Sequence, residues 1–343
     1  MRLAPVLIVL LLLAGCSQAP GSHQYTSVTV REIYTDSFSV RTLEVMQGSV
    51  GFAGSDGLFG SISLPGFQVR TGRLGQGDPL PEFRATAHTS SDFFVLSAGS
   101  PALLYKTGGS GSMELVYEDH NPEVFYDAMA FWDDQNGLAA GDAMDGCLSI
   151  LLTRDGGNSW RKIPCEELPQ AGVGEGAFAA SNTNIAIIGD SCWIATTAGR
   201  IYFSPDLGEH WEVIQTPVAH DRPTQGIYSL SFADELRGYA IGGDYTLPEE
   251  QMDNKARTSD GGQHWELVAS GALPGYKSCV QYIPGSGGSD LVAIGFTGID
   301  YSADGGMNWE RLSEEPFYTL RFLDDSVAVA AGRNRLAKLV FSR

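Results

Sequence analysis

The chain has 343 residues, 43% of them hydrophobic and only 18% charged, a balance that supports a folded core and excludes an intrinsically disordered chain. Its 42 glycines require frequent tight turns. Acidic residues outnumber basic ones 41 to 22, giving a net charge of −19 with no basic run, which excludes a binder of nucleic-acid backbones.

Residues 1–15 read as a secretory leader: Arg2, an apolar run over 3–13 too short to span a bilayer, then small residues. Leu13-Ala14-Gly15-Cys16 resembles the lipobox of bacterial lipoproteins, and that resemblance implies that Cys16 becomes an acylated N-terminus. Ser17 follows it rather than Asp, which points to the outer membrane and a periplasm-facing domain, in contact with the membrane only through the lipid. Residues 16–24 read as a polar tether, and 25–343 as one domain.

Internal repeats decide the fold of that domain. Thr153-Arg-Asp155-Gly-Gly157-Asn-Ser-Trp160, Ser204-Pro-Asp206-Leu-Gly208-Glu-His-Trp211, Thr258-Ser-Asp260-Gly-Gly262-Gln-His-Trp265 and Ser302-Ala-Asp304-Gly-Gly306-Met-Asn-Trp309 align without gaps. Their starts lie 51, 54 and 44 residues apart. Each Asp carboxylate can accept backbone N–H groups of its own turn, the Gly supplies positive φ, and the Trp folds back over the hairpin. The four segments resemble the Asp-box, or BNR repeat, which implies a structural hairpin remote from chemistry. Upstream of the boxes a strand–turn–strand unit recurs. Arg41-Thr-Leu-Glu-Val45, Arg84-Ala-Thr-Ala-His88, Asp127-Ala-Met-Ala-Phe131, Tyr228-Ser-Leu-Ser-Phe232, Ser278-Cys-Val-Gln-Tyr282 and Tyr318-Thr-Leu-Arg-Phe322 carry it, with a less regular copy at Ala177-Phe-Ala-Ala-Ser181. Seven units of about 47 residues predict an all-β, seven-bladed propeller of four-stranded blades, of the WD40/YVTN-like kind. The last blade has three strands of its own, and residues 25–34 are expected to supply its fourth and close the ring.

Cys147 and Cys165 flank one box hairpin and are expected to form a cross-strand disulfide. Cys192 and Cys279 are expected to be free and buried. No Cys-x-x-Cys or His-Glu-x-x-His occurs, so neither a metal nor a cofactor is expected. The first residues of the inner strands include Arg41, Arg84, Asp127, Tyr228 and Tyr318, which a closed ring would turn toward one mouth. Two arginines there suit a carboxylate or a sugar. Residues 244–257, with Tyr245, Glu249, Glu250 and Asp253, form the longest insertion and the other candidate site. Gly141-Asp142, Gly189-Asp190 and Gly243-Asp244 read as turns.

From the unit Tyr228–Phe232, Gly238-Tyr-Ala-Ile-Gly242 and the box ending at Trp265, residues 38–343 resemble the photosystem II stability and assembly factor family and its non-photosynthetic relatives. The resemblance implies a seven-bladed propeller that binds another protein on the far side of the membrane; a monomer is expected, and the residues leave open whether it is an enzyme. Some relatives carry the label "oxidoreductase", for which this sequence offers no cofactor site. The alternative is a sialidase-like glycoside hydrolase. It would draw on Arg41, Arg84, Asp127 and Tyr228 or Tyr318, although Phe83-Arg84-Ala85-Thr86 keeps only half of the sialidase Phe/Tyr-Arg-Ile-Pro motif.

Overall fold

The computed structural model describes residues 24–75, 79–109 and 111–343; the leader, Cys16 and the tether up to residue 23 lie outside the described residues. The described chain is all-β apart from one short 3-10 turn, Cys165–Glu167. Its innermost strands pack side by side in chain order. The last, Thr319–Phe322, returns to Ser27–Met46 and closes the ring.

The repeat count predicts seven four-stranded blades; counted as hydrogen-bonded sheets, the ring has six. Five sheets have four strands each. Their innermost strands are Glu82–His88, Tyr126–Phe131, Ile185–Ile188, Gln225–Phe232 and Cys279–Tyr282. The sixth sheet has six strands, in the order Thr319–Phe322, Val327–Ser342, Ser27–Met46, Ser49–Gly54, Leu58–Ser63, Val69–Arg73. The cause is Ser27–Met46, which runs 20 residues without a break. Its first part pairs with Val327–Ser342, from Ser27↔Ser342 to Ser39↔Arg333, and its second with Ser49–Gly54. Register shifts between Glu32 and Tyr34, between Thr35 and Ser39, and between Val40 and Thr42 let it bend from one partner to the other. The N-terminal strand therefore does not stop after pairing with the C-terminal one, and two expected blades form one sheet.

Second strands such as Phe93–Ala98 and Leu291–Gly295 are covered on both faces by neighbouring sheets. They accordingly read as continuous apolar runs rather than alternating ones, and Phe94, Val95, Leu96, Val292 and Ile294 are fully buried. The four Ser/Thr-x-Asp-x-Gly-x-x-Trp segments fold alike at the outer end of their sheets. In each, Asp Oδ1 accepts the Ser/Thr hydroxyl (2.8–3.0 Å) and the backbone N–H four residues on (2.9–3.0 Å). The second Gly sits against the preceding sheet: a Cβ on Gly306 would lie 2.0 Å from the ring of Tyr239. Trp211, Trp265 and Trp309 donate Nε1–H to the carbonyl of that Gly at 3.0 Å, whereas Trp160 has no partner for its own among the described residues. The turns thus join neighbouring sheets as well as sealing their own hairpins.

Cys147 and Cys165 form a disulfide with Cα atoms 5.4 Å apart, and Cys192 and Cys279 are free and buried. Among the described residues no helix is long and apolar enough to cross a membrane, and no group of three or more His, Cys, Asp or Glu side chains could hold a metal ion.

Candidate functional site

Residues 177–184 do not form the regular inner strand that the repeat predicts. They are irregular, with Asn182 at φ +60°, and they bond to strands all around the ring. Asn182 Nδ2 donates to the Thr86 carbonyl (2.8 Å), and its Oδ1 accepts the Met129 amide (2.9 Å). Ser181 Oγ donates to the Ser278 carbonyl (2.6 Å), and the Ser181 carbonyl accepts Thr319 Oγ1–H (3.1 Å). Thr183 Oγ1 meets Ser229 Oγ at 2.7 Å, and Thr42 and Thr86 share a hydrogen bond of 2.6 Å. Six inner strands are thus tied across the axis by small hydroxyls and one Asn. The Ser181, Asn182 and Thr183 side chains of this plug are paired, whereas the fully buried Asn184 side-chain amide has no hydrogen-bond partner among the described residues.

Above the plug lies a cavity of about 430 Å³. Arg41, Arg84, Asp127, Tyr228 and Tyr318, drawn from five separate inner strands or their entries, all line it. Ala177 and Ala179 of the plug form part of its floor. The Arg41 guanidinium lies 3.9 Å from the centre of the Tyr318 ring, a cation–π contact. Its buried Nε has no hydrogen-bond partner among the described residues. Arg84 donates to the Ala179 carbonyl (3.3 Å) and sits 3.6 Å from Glu82. Burial, and then repulsion from Arg41, hold the Arg84 guanidinium below its ordinary pKa. Two guanidiniums thus stand together at one mouth of a protein whose net charge is −19, and of the two Arg84 has a carboxylate, Glu82, within ion-pair distance.

One wall of the cavity is aromatic. Phe178 stacks on Tyr228 with ring centres 3.6 Å apart, and Tyr228 meets Tyr276 edge-on at 4.8 Å. Phe296 lies 5.1 Å from Tyr276, and Tyr245 lies 6.4 Å from it. The Tyr228 hydroxyl donates to the Thr224 carbonyl (2.8 Å), and burial raises its pKa far above the ordinary phenol value, so it serves as wall rather than base. Tyr245 and Phe296 are exposed at the rim. Of the 244–257 insertion, Tyr245 lines the mouth, whereas Glu249, Glu250 and Asp253 are not among its lining residues. The insertion is pinned by Arg222, which pairs with Asp244 at 2.8 Å and with Glu250. The available signal for the wall was an aromatic within two residues of several inner-strand starts: Phe125, Tyr228, Tyr276 and Tyr318.

Asp127 is completely buried on the floor, and its neighbour Asp142 lies within the strand Gly137–Met144 rather than in a turn. Gly243-Asp244 likewise ends a strand, Gly238–Asp244, and only Gly189-Asp190 is a turn. Asp142 Oδ1 accepts the Ala177 amide at 3.2 Å, and burial raises its carboxyl to about 6. Burial, with Asp142 adding to it, raises Asp127 well above the usual carboxylate range.

No protein-family model and no curated protein matches the chain. Solved structures do. The chain is similar to YCF48 bound to D1 peptide, with 13% identity, 94% of this chain and 99% of that one covered, and a TM-score of 0.62. It is similar to YCF48 from Cyanidioschyzon merolae, with 11% identity, 91% and 98% covered, and a TM-score of 0.64. The WD40 repeats of RRP9 align at 12% identity over 93% and 99%, with a TM-score of 0.62. At these identities the likeness shows the propeller fold.

Proposed function

We propose that this chain is a binding module, monomeric and without catalytic activity, that takes a carboxylate-bearing segment of a partner protein into the mouth above the plug. The observation that carries the reading is the convergence of Arg41, Arg84 and an aromatic wall on one cavity. A guanidinium grips a carboxylate bidentately, and apolar walls around a few placed polar groups are the usual form of a pocket. The likeness to YCF48 bound to D1 peptide supports a peptide ligand on this fold. A sialidase-like reaction is less well supported. It requires three arginines and a Tyr–Glu nucleophile pair, and among the described residues the cavity is lined by two arginines and no glutamate.

The test is a titration of arrayed peptides graded in Asp and Glu content. Wild type should prefer the acidic ones. Arg41→Ala/Arg84→Ala should stay folded and lose about 100-fold in affinity, since two charge-assisted contacts vanish. A folded double variant that binds as wild type does, or a wild type that prefers neutral peptides, overturns the reading.

The same module is proposed to be held at the outer membrane, facing the periplasm, by acylation of Cys16. The basis is Leu13-Ala14-Gly15-Cys16. Wild type should fractionate with membranes at the mass of an acylated chain and Cys16→Ser should be soluble. A Cys16→Ser chain that stays with the membrane refutes the anchor.

A further inference from the structure

Asp127 is 0% exposed, yet it lines the mouth. Neither of its carboxyl oxygens has a hydrogen-bond partner among the described residues. Buried polar side chains in folded proteins nearly always have partners, so two unpaired carboxyl oxygens on a residue that lines a cavity need a cause. The groups around it are few. Asp142 faces it from the adjacent strand, and Arg84 faces it from Glu82–His88, with Arg41 beyond. The amides of Ala177 and Ala179 approach from the plug without reaching hydrogen-bond geometry, and the Ala177 amide is already spent on Asp142. No cation lies within ion-pair distance of Asp127 among the described residues.

An ionised carboxylate so placed, unpaired and beside a second carboxyl, is costly to bury, and protonation removes the charge. A protonated carboxyl then presents one O–H donor and one C=O acceptor side by side. A primary carboxamide is the geometric complement of that pair, offering C=O and a syn N–H along one edge.

We propose that Asp127 reads a carboxamide of the bound segment, donating its O–H to the amide oxygen and accepting the amide N–H on its C=O, while Arg41 and Arg84 hold the carboxylate. The ligand class is thus a peptide in which an Asn or Gln side chain accompanies a carboxylate. This assignment rests on the reading of the mouth as a carboxylate site.

The probes are acetyl-phenylalanyl-glutamine and acetyl-phenylalanyl-norleucine, which share a carboxylate and an aromatic ring and differ in the carboxamide. They are titrated calorimetrically against the full chain. Wild type should bind the glutamine dipeptide about tenfold tighter, as expected for two buried hydrogen bonds. Asp127→Asn supplies the same donor and acceptor and should keep that preference. Asp127→Leu should abolish it, so that the two dipeptides bind alike, and melt no lower than wild type, because it removes an unpaired buried group. If both dipeptides bind wild type equally, or Asp127→Leu keeps the preference, the Asp127 assignment falls while the carboxylate site stands. If neither dipeptide binds, the carboxylate site fails and the assignment fails with it.

Discussion

Trp265→Ala should destabilise the domain by about 3–5 kcal/mol, the cost of removing a large buried aromatic from a packed interior. Trp265 is only 9% exposed and stands edge-on to Phe232 at 6.0 Å in the same core cluster as Trp193, from the preceding sheet. Trp193 in turn donates Nε1–H to the Gly261 carbonyl of the same turn at 3.0 Å. The lost ring therefore opens a seam between two sheets, which relaxes poorly because both are fixed in the ring. Asp260→Ala should cost less, about 1 kcal/mol, because the turn is solvated and water can replace the lost acceptor. Its carboxyl is held at about 2, chiefly by the His264 amide. A depressed carboxyl contributes stability above its unfolded pKa, and that contribution is lost as pH falls through the folded value. The difference between wild type and Asp260→Ala should accordingly be full near neutrality and vanish below about pH 2. Thermal melts measure both effects. Unchanged melting of Trp265→Ala, with peptide binding lost, would make these turns part of the site rather than of the frame.

The frame was legible because it repeats. An eight-residue signature seen four times fixes a hairpin, and its spacing fixes the size of a unit. The blade count failed at residues 35–38, where Thr35, Asp36 and Ser37 look like a break between strands. The chain runs on through them, because both ends of Ser27–Met46 are pinned by different partners and bulges absorb the bend. The mouth was legible in part for a related reason. Arg41, Arg84, Asp127, Tyr228 and Tyr318 occupy equivalent positions on or beside inner strands, and a closed ring brings equivalent positions together. Phe178 and Phe296 were not legible as part of a wall. The first sits in the irregular plug, and the second stands in a loop whose path depends on the ring being closed. Least legible were buried charges. Lys255 and Lys277 are fully buried, although lysine is the residue that sequence patterns assign to solvent. Lys255 is accommodated by the oxygens of Asn254, Ala272 and Pro274 at 2.6–2.9 Å, with burial lowering its ammonium to about 7.

Asp300→Ala should cost about 3–5 kcal/mol, because it strands a buried cation. Asp300 is fully buried, 2.6 Å from Lys277 and 2.7 Å from Arg311. Lys277 is equally buried and also donates to Thr297 Oγ1 (3.0 Å) and the Gly298 carbonyl (2.8 Å). Burial lowers its ammonium to about 8, and Asp300 is the principal group opposing that. Without Asp300, the folded-state pKa of Lys277 should fall further below its unfolded value. The unfolded chain then binds the extra proton, so the stability of Asp300→Ala should rise with pH from that lowered value up to about 10.4. Replacing the pair by apolar residues, Lys277→Met with Asp300→Leu, should recover most of the loss, since a well-packed apolar pair substitutes for a buried ion pair at little cost. Denaturant titrations of the three variants at several pH values decide the matter; an Asp300→Ala protein as stable as wild type near neutral pH would refute it. The consequence reaches the mouth. Thr297 Oγ1, fixed by Lys277, donates to the Tyr276 carbonyl at 3.1 Å, and Phe296 packs against the Tyr276 ring. Loss of the ion pair should therefore loosen the aromatic wall and weaken binding of acidic peptides, while Arg41 and Arg84 remain in place.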